Sequence, residues 1–103
     1  MTIQPTELRR HLARLLLVSE EELFARGRGQ QETAAKRALA MYLAVITADI
    51  SQAKAGIVFG RDRTTVGHAL RRVEDLRDDP AFDAKCDRLE RDLRRAMKTQ
   101  VTQ

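Results

Sequence analysis

The chain has 103 residues, 43% of them hydrophobic and 33% charged, with a net charge of +4, which is the composition of one soluble helical domain. No apolar run approaches the roughly 18 residues of a membrane span, and the N-terminus lacks the basic and apolar regions of a secretory signal. One cysteine, Cys86, cannot form an internal disulfide and has no metal-ligand spacing around it, so a reduced, cytoplasmic protein without metal or cofactor is expected.

The helical period dominates from end to end, without the strict alternation of a half-buried strand or an Asn-Gly hairpin turn. Leu8, Leu12, Leu15 and Leu16 share one face, which predicts an amphipathic helix over 6–17 behind Pro5. Ser19 followed by Glu22 is a capping box that starts a short helix near residue 20. The glutamates at 20–22 suit a helix N-terminus through its dipole rather than acid–base chemistry. The stretch Arg26-Gly27-Arg28-Gly29-Gln30-Gln31 then breaks the period and reads as a positively charged loop. Thr33 to Ile50 is the long central helix, with Leu39, Tyr42, Leu43, Ile46 and Ile50 on its apolar face. Ser51 can cap a helix that carries Ala53, Ile57 and Val58 and ends near Phe59-Gly60. Asp62 can cap the next, which runs to about Leu76. Asp78-Asp79-Pro80 interrupts it. A last helix from Ala81 to about Lys98 places Phe82, Cys86, Leu89, Leu93 and Met97 on one stripe, which either folds back onto the domain or pairs with a second copy.

Two short helices around Gly60-Arg61 have the layout of a helix-turn-helix. On a helical wheel, Ala69, Leu70, Val73 and Leu76 fall within about 80° of Val66, while Thr64, His68 and Arg71 point about 140–200° away. Gly67 and Arg72 flank that outer face, and the absent side chain at Gly67 is expected to let the helix approach a groove. Arginine can pair bidentately with guanine, and threonine can contact a base edge or a thymine methyl. Arg63 sits in the first turn, where a recognition helix meets bases. Between Leu23 and Arg72 stand nine cations and three anions, a net of +6, which is the electrostatic footprint of a nucleic-acid binder. Charge alone fits a solvated arginine-rich surface equally well. No Ser/His/Asp or Cys/His arrangement is discernible, so no enzyme is expected.

The run from Phe59 to Ala69, FGRDRTTVGHA, resembles the signature of the C-terminal DNA-binding domain of the bacterial replication initiator DnaA. Ala40-Met41-Tyr42-Leu43-Ala44 is similar to the start of that family's long helix, and Leu23 to Arg28 is similar to its basic loop. The resemblance implies an all-α fold, a small helical bundle containing a helix-turn-helix with a basic loop. Residues 1–77 would form the DNA-binding domain, and residues 78–103 a linker and an amphipathic C-terminal helix. It implies base reading by Asp62, Arg63 and Thr64, with Thr65 and His68 supporting that contact or touching the backbone. Arg28 takes the place of the minor-groove arginine and Arg37 that of a phosphate- or groove-contacting arginine. Apart from the resemblance, the cation pattern adds Arg26, Lys36 and Arg61 to the DNA-binding set, and the outer face of the second helix adds Arg71. The partner is then double-stranded DNA at sites similar to DnaA boxes, with a homodimer through the last helix as an alternative to docking in cis.

Arg63 stands where the family usually has histidine, and one Gly60 replaces a double glycine. Gln30 and Gln31 dilute the basic loop. No Gly-x-x-x-x-Gly-Lys-Ser/Thr phosphate loop occurs in the 103 residues, so ATPase-driven origin melting is not expected. A transcriptional regulator or a modulator of replication initiation follows, with a helical protein-interaction or RNA-binding domain as the rival reading.

Overall fold

The computed structural model describes residues 3–25 and 31–102. Six helices follow one another: α1 (Pro5–Leu15), α2 (Glu20–Phe24), α3 (Gln31–Thr47), α4 (Gln52–Phe59), α5 (Arg63–Leu76) and α6 (Pro80–Thr102). No strand occurs among the described residues. The chain is all-α, as expected.

Helix α3 is the axis of the bundle. Every residue from Arg37 to Ala44 is buried, and α2, α4, α5 and α6 all pack against it, while α1 bridges α2 and α6. An alanine- and leucine-rich helix can serve this role because small side chains let several neighbours approach closely. Leu8, Leu12, Leu23, Leu43, Phe59, Val66, Val73, Cys86 and Leu93 are the largest fully buried side chains. Cys86, Leu89 and Leu93 of α6 belong to the same buried cluster as residues of α1 and α3, so in the single chain the last stripe is covered in cis.

Helix ends depart from the sequence expectation where the backbone turns left-handed. Helix α1 stops at Leu15 rather than residue 17 because Leu17 adopts φ 58°. Val18 N–H donates to Ala13 O at 3.1 Å and Leu17 N–H to Arg14 O at 3.3 Å, the paired bonds of a Schellman closure. Leucine at that position carries a strain of about 1–2 kcal/mol that glycine would not. Helix α3 ends at Thr47 rather than Ile50 because Asp49 sits at φ 55°. Ile46, near that end, is 41% exposed rather than on a buried face, and Ile57 on α4 is 81% exposed. Helix α6 starts one residue earlier than expected. Pro80 takes its first position, where the missing N–H costs nothing, and Asp79 Oδ2 accepts from Phe82 N–H at 3.1 Å.

Candidate nucleic-acid interface

The α4–α5 turn is fixed by three local devices. Ser51 Oγ accepts from Lys54 N–H at 3.0 Å and starts α4. Gly60 closes it at φ 65°, with Arg61 N–H donating to Gly56 O at 2.8 Å. A Cβ at Gly56 would lie 2.6 Å from Arg61 O, so only glycine lets the turn fold back this tightly. Asp62 Oδ1 then accepts from Thr64 N–H at 3.0 Å and Thr65 N–H at 3.3 Å, satisfying two donors that would otherwise be orphaned.

These devices set the rotation of α5. Val66, Ala69, Leu70 and Val73 are buried, and Arg63, Thr64, Thr65, His68, Arg71 and Arg72 are exposed. The outward surface carries guanidinium, hydroxyl and imidazole groups, and between the Asp62 cap and Glu74 it has no carboxylate. Gly67 does not lie on that surface. Its Cβ position would meet Gln52 Oε1 at 3.2 Å, so its missing side chain admits α4, not an external groove.

Beside this surface, between α3 and α5, an open groove of about 260 Å³ is lined by Arg37, Met41, Arg61, Thr65, His68 and Arg72, among others. Arg37 is placed differently from the expectation of a phosphate-gripping cation. It is only 7% exposed, and its Nε donates to Leu23 O at 2.8 Å and its Nη2 to Glu22 O at 3.0 Å. Those carbonyls belong to a five-residue helix whose last turn has no partners of its own, and Arg37 supplies them. Burial, and secondarily the Arg61 cation, pull the Arg37 guanidinium below its ordinary pKa. Two neighbouring cations at the groove leave it short of negative charge.

Arg61 is likewise partly engaged. Its Nη2 donates to Ala25 O at 2.9 Å and its Nη1 to Phe59 O at 3.4 Å. Phe24 packs against Phe59 with centroids 4.8 Å apart, and the Arg9 guanidinium lies 4.2 Å over the Phe24 ring. Together these contacts hold the root of the basic loop beside the helix-turn-helix. Arg26 and Arg28 themselves lie outside the described residues. Lys36 is not brought to the groove. It faces the α1–α2 turn, with Nζ 3.5 Å from Leu17 O, and lies beside Arg72 and Lys85 at the junction of α3, α5 and α6.

Arg77 is the polar residue that periodicity did not single out. It donates to Asp83 Oδ1 at 2.6 Å, Glu90 Oε2 at 2.6 Å, Tyr42 Oη at 2.9 Å, and Asp87. The side-chain bond to Asp83 leads the causes that push its pKa above the ordinary arginine value. The signal was present as Asp83, Asp87 and Glu90 at spacings of four and three, which is one acidic helix face awaiting a cation.

Among the described residues, no group of three or more His, Cys, Asp or Glu side chains could hold a metal ion, and no helix is long and apolar enough to cross a membrane. A model of the bacterial DnaA protein helix-turn-helix matches residues 5–73. That is two-thirds of the chain, and the chain belongs to this DNA-binding family.

Proposed function

We propose that the chain binds double-stranded DNA sequence-specifically, with the N-terminal half of α5 in the major groove. One observation carries the reading: Thr64, His68 and Arg71 are exposed on the side of α5 opposite Val66, with Arg63 and Thr65 also exposed in its first turn, and a capped, glycine-closed turn sets the rotation of that helix. Arg63 and Thr64 meet base edges in the first turn. Asp62 orients them through its backbone bonds. Thr65, His68 and Arg71 follow the groove or the adjoining backbone. Arg26 and Arg28 reach the minor groove or phosphates from the loop rooted at Ala25. Arg61 and Arg37 contribute positive potential at the α3–α5 groove while bracing the scaffold, and Lys36 adds charge from the flank. Phosphate contacts supply affinity without sequence information, whereas the base contacts specify.

The biological role that fits is a transcriptional regulator or a modulator of replication initiation acting at sites similar to DnaA boxes, without ATPase activity. Selection from random-sequence duplexes tests the chemistry. Enrichment of one motif is expected, with log K falling against log salt at a slope of about −4 to −5 for some four to six phosphate contacts. Tight but unselective binding, or none, would replace this reading with the RNA- or protein-binding one. Genome-wide occupancy then separates the roles: promoters mark the regulator, and origin-proximal boxes the replication modulator.

A further inference from the structure

A corner and a cleft adjoin on one face of the molecule, and the packing of the single chain accounts for neither. The corner joins α1 to α2. Leu17 is 85% exposed there, although it holds a left-handed backbone that glycine or asparagine adopts at less cost. Glu20 and Glu21 stand exposed in the helical turn that follows. The cleft, of about 120 Å³, opens where α3, α5 and α6 meet. Leu39, Val73, Leu76 and Phe82 form its apolar floor, Arg72 and Lys85 are its exposed cations, and no carboxylate lines it. Leu76 is 47% exposed, so that floor is only partly covered. Lys36 connects corner and cleft: it walls the cleft, and its Nζ reaches within 3.5 Å of Leu17 O.

From this arrangement we infer that two copies of the chain pair about a two-fold axis, each seating Leu17 in the cleft of the other, with Glu20 and Glu21 against Arg72 and Lys85. Three points favour a second copy as the occupant. First, the chemistry is complementary: an apolar knob flanked by two carboxylates meets an apolar socket flanked by two cations. Among the described residues, none of these four charged side chains takes part in an ion pair. Asp83 and Asp87, the carboxylates of α6 on either side of Lys85, are held by Arg77. Asp75 lies in the adjoining hollow with Arg72 but forms no ion pair with it. Second, the sizes agree. A cavity of about 150 Å³ takes up benzene, so the cleft has room for one leucine side chain. Third, knob and socket are neighbours rather than opposites. A two-fold axis between them makes both contacts at once and closes at two copies, whereas a knob and socket on opposite faces would string copies into a filament. Burial against the partner then accounts for an exposed leucine in a strained backbone. The apolar stripe of α6 is no rival surface, because Cys86, Leu89 and Leu93 are covered within the single chain.

Sedimentation equilibrium of the full chain tests the pairing. Wild type is expected to show a monomer–dimer equilibrium. Leu17→Asn is expected to weaken it at least tenfold. At dilutions where both chains are monomeric, the unfolding midpoint of that variant should hold or rise, since asparagine tolerates a positive φ better than leucine does. The charge variants E20K/E21K and R72E/K85E should each fail to self-associate. Mixed in equal amounts they should recover a heterodimer, because corner and cleft then carry opposite charges at both contacts. Circular dichroism checks that both are helical; should either unfold, Leu17→Asn decides alone. A wild type that stays monomeric up to about 100 μM overturns the inference, as does a dimer indifferent to Leu17→Asn. So does a mixture of two folded charge variants that stays apart, or an assembly that grows past two copies. DNA enters none of these measurements, so the outcome is independent of the function proposed for α5.

Discussion

Arginines on the two sides of this molecule do opposite things. On the outer surface of α5, Arg63, Arg71 and Arg72 are exposed, and their guanidinium groups face solvent, ready for an external acceptor. On the inner side, Arg37 and Arg77 turn toward the protein. Arg37 supplies donors to the C-terminal carbonyls of α2, and Arg77 gathers three carboxylates and the Tyr42 hydroxyl. The difference lies in partners distant in sequence. Arg37 meets its carbonyls 14 and 15 residues back, and Tyr42 Oη lies 35 residues from Arg77. Arg37 and Arg77 thus brace the scaffold, whereas the exposed arginines of α5 are the ones that the proposed DNA reading calls on.

Substitutions on the inner side should sharpen that division most. Arg37→Met leaves the Glu22 and Leu23 carbonyls without their charged donor and is expected to lower stability by about 2–3 kcal/mol in urea denaturation. Arg37→Lys should not rescue it, because an ammonium cannot serve both carbonyls in the planar geometry of a guanidinium. DNA affinity should fall alongside, since α2 roots the basic loop. A stable Arg37→Met chain that loses only DNA binding would move Arg37 to the recognition side. Arg77→Met should cost less, about 1–2 kcal/mol, because Asp83 and Asp87 side chains are 45% and 52% exposed and water screens them. Its affinity for the selected duplex should be unchanged. A large loss of affinity with no loss of stability would break the comparison.

Cys86 marks the inner side by its pH dependence. Burial in the first place pushes its thiol above the ordinary thiol pKa, with Arg77 pulling the other way. The neutral thiol is thus favoured by the fold, so its contribution is complete below the ordinary thiol pKa and is lost as pH rises through the folded value. Between neutral pH and about pH 10, wild type should lose more stability than Cys86→Ala does, since the variant lacks this titration. Parallel losses would mean that Cys86 is not held in an apolar site.

Much of this was legible in the sequence because it is local. Ser19, Ser51 and Asp62 cap the helices that their spacing announces, and the 3.6-residue period sorts Val66, Leu70 and Val73 from Thr64 and His68. Contacts through space were less visible. The sequence shows Ile57 as an apolar residue of α4 and cannot show that it lies 81% exposed. It read Gly67 as clearance for a groove, whereas the clearance is for Gln52. Arg37 looked like any other cation on a helix, since nothing in its neighbourhood says that a five-residue helix elsewhere needs its donors.

Base reading by the first turn of α5 is tested most directly by measuring Arg63→Ala against wild type on the selected duplex and on a scrambled one, with thermal unfolding as control. Arg63 is exposed, so the unfolding midpoint should hold. Affinity for the selected duplex should drop by about 1–3 kcal/mol, with a much smaller drop on the scrambled sequence. An equal loss on both would make Arg63 a phosphate contact and contradict its place on the base-reading face.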